Sequence, residues 1–328
     1  MQPSPPIVRF GVVLPQDGQD SFAPVAEFAK KCEEMGYYSV YTMDHLLGFA
    51  DRIGGLERPI FECLTTISAL STITQKIRFG VLTICNSYRN PALLAKVASS
   101  IDVISNGRLE FGIGAGWWED EHSAYGFEFP KISNRIARLE EAVKIVKLMW
   151  TEERASFQGR FYRISNAICN PKPAQKPYPP IIIGGTGEKL TFSLVARFAE
   201  MCNFGRQIDS PEAYREKAEI LEERCREVGR DPATLAKTWL CMSLVGENEH
   251  SVNKLVKRYS HEVNRFRPDG VELDDYLKGL IVGTPDECVE KLRQYVKVGV
   301  TYFMLYFPDV GEGNSRELFA SSVMNQFI

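Results

Sequence analysis

No two of the eight cysteines form a CxxC pair; Cys32, Cys63, Cys85, Cys169, Cys202, Cys225, Cys241 and Cys288 stand singly. That removes the common zinc and thiol–disulfide motifs, so no metal is expected. Most of the eight lie in apolar runs and read as small core residues of a reduced cytoplasm. No apolar run approaches about 20 residues, so no membrane span is expected. The opening MQPSPPIVRF lacks a basic region followed by an apolar one, so no secretory signal is visible. Neither sign of charge dominates: 39 Lys and Arg face 42 Asp and Glu, a net charge of −3. With a pI near 6.0, neither nucleic acid nor an anionic membrane is indicated as a partner.

What the chain does have is a long alternation of strand and helix signals. At 328 residues it is long for one domain, yet α/β barrels reach this size as a single unit. The stretch 107–130, GRLEFGIGAGWWEDEHSAYGFEFP, organises the rest. Residues 108–113 read as a buried strand. Gly112, Gly114 and Gly116 follow at every second position, and since glycine weakens a strand, something is expected to pack closely against the backbone there. Trp117, Trp118, the acidic run Glu119, Asp120 and Glu121, and His122 come next. This is how a chain leaves a barrel strand and opens onto a site.

Taken in order, 8–15 is a strand, 22–35 a helix closed by Gly36, and 37–43 a second strand, which makes a βαβ unit. The second strand ends in Asp44 and His45, where a parallel barrel gathers its functional residues. The loop 46–59, containing Phe49, is longer than such connections usually are and reads as a lid or binding loop. A helix over 62–74 leads to the third strand, 77–84, with Gly80 at its centre, a sign of a bulge or of close backbone approach. Asn90 and Pro91 are the N-cap and first residue of a helix whose small residues, Ala92, Ala95, Ala98 and Ser99, permit tight packing on the barrel or on a second subunit.

The most periodic helix spans 134–150. Residues 154–168 read as a hairpin outside the barrel, and the proline-rich stretch 169–180 as an extended connector. The fifth strand, PIIIGGTG over 180–187, opens into Gly184, Gly185, Thr186 and Gly187, with a helix expected from about Glu188. It is neither GxGxxG nor GxxxxGK[ST], but backbone N–H groups at such an exit make an anion site. Strands over 199–204, 235–245 and 301–308 complete eight. The charged insertion 248–280 reads as helices over the barrel mouth or flank, with His250 and His261 as surface residues. Helices are expected over 211–228, 285–298 and 316–327. A single TIM-type (β/α)8 barrel domain over 1–328 is the expected fold.

Several stretches in this order resemble the luciferase-like flavin and deazaflavin oxidoreductase superfamily. They are Tyr41–Thr42–Met43–Asp44–His45, GVLTICNSYRNPALLAK from Gly80, DVISNGRLEFGIGAGWWEDEHSAYG from Asp102, PIIIGGTG, and VGTPDECVEKL from Val282. Within that superfamily the chain is most similar to coenzyme F420-dependent oxidoreductases, with reduced-FMN monooxygenases as the alternative. The resemblance implies a bacterial-luciferase-like barrel with the ring of F420, or of FMN, in its C-terminal mouth. It implies Asp44 and His45 beside the ring as catalytic residues, and Gly80, Val81 and Thr83 behind it. Gly116, Trp117 and Asp120 would sit at the fourth-strand exit, and Gly184, Gly185, Thr186 and Gly187 at the cofactor's phosphate end. It also implies a cis peptide bond between Gly80 and Val81. Where some relatives carry a proton-donating glutamate after the third glycine, this chain has Trp117, so their substrates are in doubt. Phe49, Trp117 and Trp118 would form an apolar substrate wall, and histidine's ordinary pKa suits His45 to proton transfer. The expectation is an oxidoreductase acting on a small molecule, as a homodimer; a non-catalytic cofactor-binding protein on the same barrel is the alternative from another class.

Overall fold

The computed structural model describes residues 7–16, 18–48, 55–265, 267–309 and 313–327. Eight parallel strands close a barrel: β1 Arg9–Val13, β2 Ser39–Thr42, β3 Arg78–Val81, β4 Leu109–Gly114, β5 Ile181–Gly184, β6 Met201–Phe204, β7 Ala236–Val245 and β8 Tyr302–Tyr306. Each pairs with the next, and β8 returns to β1 with Arg9 opposite Tyr302. This is the expected TIM barrel. Around it run α1 Ala23–Glu34, α2 Cys63–Ile73, α3 Pro91–Ile104, α4 Glu119–Ala124, α5 Ile132–Thr151, α6 Thr191–Phe198 and α7 Pro211–Glu227. After β7 come α8 Glu249–Arg258, α9 Ser260–Asn264 and α10 Leu273–Gly279, then α11 Pro285–Lys297 and α12 Ser315–Leu318.

The outward faces of the strands are apolar because the helices cover them. Outward, Phe79, Val81 and Phe111 join the core shared with the helices; Phe111 meets the Trp150 ring edge-on at 5.1 Å, and the Trp150 indole donates to the Ala95 carbonyl at 2.9 Å. Inward, the N-terminal half of the barrel is plugged by a polar network. The Tyr41 and Tyr302 hydroxyls donate to the buried Glu110 carboxylate, which also accepts from Arg78 Nε at 2.9 Å. A carboxylate at this depth is tolerated because it is paired and hydrogen-bonded.

Local signals explain the helix starts. The Asn90 side chain accepts from the Ala92 and Leu93 N–H groups, with Pro91 at the first position of α3. Thr284 and Glu287 form a capping box at α11. The hairpin forms as expected, from Ala155–Gln158 and Arg163–Ala167. The connector after it holds cis bonds at Asn170–Pro171 and Lys176–Pro177. The helices of the insertion build a second small core with Met242, Leu244 and Val282. There the upper half of β7 pairs with a short strand, Ile281–Gly283.

Two expectations are corrected. The non-prolyl cis bond falls at Leu82–Thr83, two residues beyond Gly80–Val81. Gly80 is explained by space instead: a Cβ there would lie 2.4 Å from the Glu110 carbonyl and 3.0 Å from the Tyr41 ring. Helix α6 begins at Thr191, not at about Glu188, because a turn over 188–190 separates it from the glycine exit. Phe49 lies outside the described residues. Among those that are described, no helix is long and apolar enough to cross a membrane.

Candidate active site

A cavity of about 460 Å³ opens among the C-terminal exits of β2 to β6. The βα loops of a parallel barrel build its functional face at this end.

Beyond β2, the Asp44 side chain is almost wholly buried and takes a two-pronged bond from Arg89, Nη1 to Oδ2 at 2.5 Å and Nη2 to Oδ1 at 2.9 Å. Oδ2 also accepts from the Cys85 N–H at 2.8 Å, and Oδ1 from the Cys63 thiol at 3.2 Å. Arg89 reaches Glu62, the N-cap of α2, at 2.5 Å. Burial opposes the Arg89 charge, but its bonds to Asp44 and Glu62 outweigh burial and hold the guanidinium ionised. Asp44 is at the cavity wall, as expected, with its oxygens committed to tying β2, the β3 exit and α2 together.

His45 is held instead by Glu121. Its Nδ1 lies 3.2 Å from Glu121 Oε2. Glu121 also accepts from the backbone N–H groups of Leu46 at 2.5 Å and Leu47 at 3.1 Å, and from the Tyr88 hydroxyl at 2.6 Å. Burial alone would push the Glu121 carboxyl up. The bond and charge of His45, then Tyr88 and the Leu46 amide, outweigh it and hold the group below the ordinary carboxylate range. Burial, and then the bond to Glu121, push the Tyr88 phenol up. Glu121 was legible only as one of three consecutive acids, of which Asp120 was expected at the site. In α4, Asp120 is exposed and outside the cavity lining, while Glu121 and His122 turn inward. The usable signal was helical spacing: Trp118, Glu121, His122 and Tyr125 share one face.

Trp117 and Trp118 stack with ring centroids 5.9 Å apart, and each meets the His45 ring edge-on at 5.6 Å. Trp117 is 63% exposed at the cavity mouth. His122 is buried behind them. A carbonyl can only accept, so the 2.8 Å contact from His122 Nδ1 to the Trp118 carbonyl places a proton on Nδ1, and Nε2 faces the Cys85 sulfur at 3.6 Å. Burial pushes the Cys85 thiol up to about 12, so it meets the cavity as a neutral thiol.

The glycines find their partners within the chain. An added Cβ would lie 2.0 Å from the Val81 carbonyl oxygen at Gly112, 2.4 Å from Thr83 Oγ1 at Gly114, and 2.9 Å from Thr83 Cγ2 at Gly184. The β3 exit thus wedges Thr83 between β4 and β5 to make the cavity floor. Gly116 has φ +76°, and a Cβ there would meet the Cys85 sulfur at 2.7 Å. Gly80 and Val81 sit in the barrel wall, outside the cavity lining. At the β5 exit, Gly184, Gly185, Thr186, Gly187 and Thr191 line the far end; the Gly185 N–H donates to the Asn203 carbonyl at 3.1 Å. Asn203 within β6, and Gly205 and Gln207 after it, also line the cavity. These were not anticipated, although a buried asparagine within an apolar strand is the signal that marks them; its Nδ2 donates to Thr238 Oγ1 at 2.8 Å.

The sequence profile described as luciferase-like monooxygenase matches residues 8–302, and the chain belongs to that family. It is 28% identical to a protein of Amycolatopsis mediterranei (strain U-32) named F420-dependent glucose-6-phosphate dehydrogenase, over 92% of each chain. Among solved structures it is similar to an F420-dependent secondary alcohol dehydrogenase in complex with an F420-acetone adduct. There the TM-score is 0.83 at 19% identity, covering 97% of this chain and 98% of the other. It is also similar to a monooxygenase from Streptomyces bottropensis, with a TM-score of 0.81 at 21% identity over 98% and 100% of the two chains. The structural likenesses bear on the fold alone.

Proposed function

We propose that this chain is a coenzyme F420-dependent oxidoreductase, a single-domain cytoplasmic enzyme that moves a hydride between the deazaflavin and a small organic molecule. The observation that carries the reading is His45, fixed by a buried Glu121 on the wall of a cavity that ends in a glycine exit. The residues fit the cofactor. Thr83 and the tryptophan pair would hold a flat ring, and the backbone of Thr186 and Gly187 with the Thr191 hydroxyl would hold a phosphate-bearing tail. Gly187 leaves room there, since a Cβ would stand 2.8 Å from Thr191 Oγ1. The names of the curated relatives support the same choice.

When bound, the deazaflavin supplies a two-electron hydride acceptor or donor. The chain's own part is orientation, exclusion of water and proton handling. For an alcohol substrate, His45 would take the hydroxyl proton while the bound deazaflavin would supply the hydride acceptor; for a carbonyl substrate, His45 would return that proton and the group would supply the hydride. Glu121 steadies the imidazolium formed at His45. Asp44, through Arg89 and the Cys85 amide, holds the β2 and β3 exits that carry His45 and Thr83.

A fluorescence titration with F420 and with FMN tests the reading. F420 is expected to bind at least about tenfold more tightly, about 1.4 kcal/mol. Equal or better FMN binding moves the assignment to a reduced-FMN monooxygenase, the second reading, favoured by the family's own description. Binding of F420 without turnover of any acceptor would leave a non-catalytic cofactor-binding protein. We further propose a homodimer paired through α2 and α3, where Leu93 is 62% and Ile104 52% exposed.

A further inference from the structure

We infer that the substrate is an uncharged, flat, apolar molecule, and that phosphorylated or carboxylated metabolites are excluded. The inference rests on the oxidoreductase reading for the presence of a carrier, and on the cavity's own side chains for the substrate.

The first ground is charge. Among the described residues no lysine or arginine lines the cavity. Its ionisable wall consists of Asp44, Glu121 and His45, with the neutral Cys85 thiol and Tyr88 phenol. Both carboxylates are already matched, Asp44 by Arg89 and Glu121 by His45, the latter contact at 3.2 Å. A substrate anion entering here loses its hydration, meets no lysine or arginine among the described lining residues to replace it, and stands beside two carboxylates. The anion-binding capacity lies at the glycine exit, which the cofactor's phosphate requires. Lys189 stands on that same side, in the adjoining groove with Gly187 and Glu188.

The second ground is the mouth. Trp117 and Trp118 lie 13° from parallel and form a broad apolar step at the entrance. Trp117 and Ile132 are 63% and 52% exposed there, and Ile136 continues the apolar wall inward. Large aromatic groups left in water at a concave opening mark a surface meant to be covered. A flat hydrocarbon or aromatic face covers it.

The test is calorimetric titration of the purified full chain, alone and with F420, using three probes. These are acetophenone, its para-carboxylate derivative 4-acetylbenzoate, and glucose 6-phosphate. Acetophenone is expected to bind at least about tenfold more tightly than 4-acetylbenzoate, with glucose 6-phosphate giving no heat at millimolar concentration. Trp117→Lys, at an exposed position, is expected to narrow the gap between the two ketones by admitting the carboxylate. Equal or tighter binding of the carboxylate or the sugar phosphate overturns the inference, as does failure of both ketones to bind. Failure of F420 to bind overturns the oxidoreductase reading instead, and the ketone comparison on the chain alone still measures this one.

Discussion

Replacing Glu121 with glutamine is the sharpest perturbation of the site. The carboxylate accepts four bonds, from His45 Nδ1, the Leu46 and Leu47 amides, and the Tyr88 hydroxyl. Glutamine has one accepting oxygen. If that oxygen keeps the two backbone amides, its NH2 is turned toward the Tyr88 hydroxyl and the His45 ring nitrogen, both of which donate to the carboxylate in the wild type. Two charge-assisted bonds are then lost at about 1.5–3 kcal/mol each, so the variant should be destabilised by about 3–6 kcal/mol near neutral pH. The pH dependence supplies a second, independent number. The Glu121 carboxyl is lowered from 4.5 in the folded protein. Its stabilisation is therefore fully present above the unfolded value and is lost as pH falls through the folded one. Glutamine does not titrate, so the gap between wild type and variant should narrow in acid. Urea unfolding followed by near-ultraviolet circular dichroism, stepped from about pH 7 to about pH 3, measures both quantities. A gap under about 1 kcal/mol at neutral pH, or one that stays constant into acid, would refute the reasoning.

Three further outcomes are expected. His45→Ala should lower turnover by roughly two to four decades at saturating cofactor, the usual worth of acid–base assistance, and unchanged turnover would reduce His45 to a packing residue. Gly112→Ala drives a methyl to 2.0 Å from a carbonyl oxygen that belongs to a barrel strand and cannot yield. It should cost about 3 kcal/mol or more in urea unfolding, whereas Gly126→Ala, with φ +72° and open space around it, should cost only the backbone strain of about 1–2 kcal/mol. Light scattering at micromolar concentration should give twice the 37.1 kDa chain mass, and Leu93→Glu should return the monomer; a wild-type monomer would end the homodimer proposal.

The fold was readable because barrel strands and helices carry distinct periods. Each of the eight strands lies within, or one residue beyond, the segment its apolar run marked, and the outlying hairpin was separable by its broken pattern. The short strand Ile281–Gly283 was not, since three residues directly after the charged insertion carry no period. At the site, Asp44, His45, Thr83, Trp117 and the β5 glycines all reach the cavity because strand ends in a barrel converge. What failed were matters of one or two residues. Asp120 and Glu121 differ by about 100° around a short helix, and composition does not resolve that angle. Likewise, the glycines were read as making room for something, but only packing shows that the neighbours are Val81, Thr83 and Cys85.

That packing has an evolutionary consequence. Thr83 sits in slots cut by glycines on two different strands, so its volume and theirs are one shared quantity. A shrinking change at Thr83 deepens the floor at once and asks nothing of its neighbours. An enlarging change at Gly114 or Gly184 is blocked while Thr83 keeps its size, since it would bring atoms to 2.4 or 2.9 Å. The three positions should therefore drift in a fixed order, with the threonine yielding before either glycine can grow. A lineage that once fills a slot cannot restore the threonine until the slot is emptied again. The shape of the floor is thus ratcheted, easily hollowed and hard to refill.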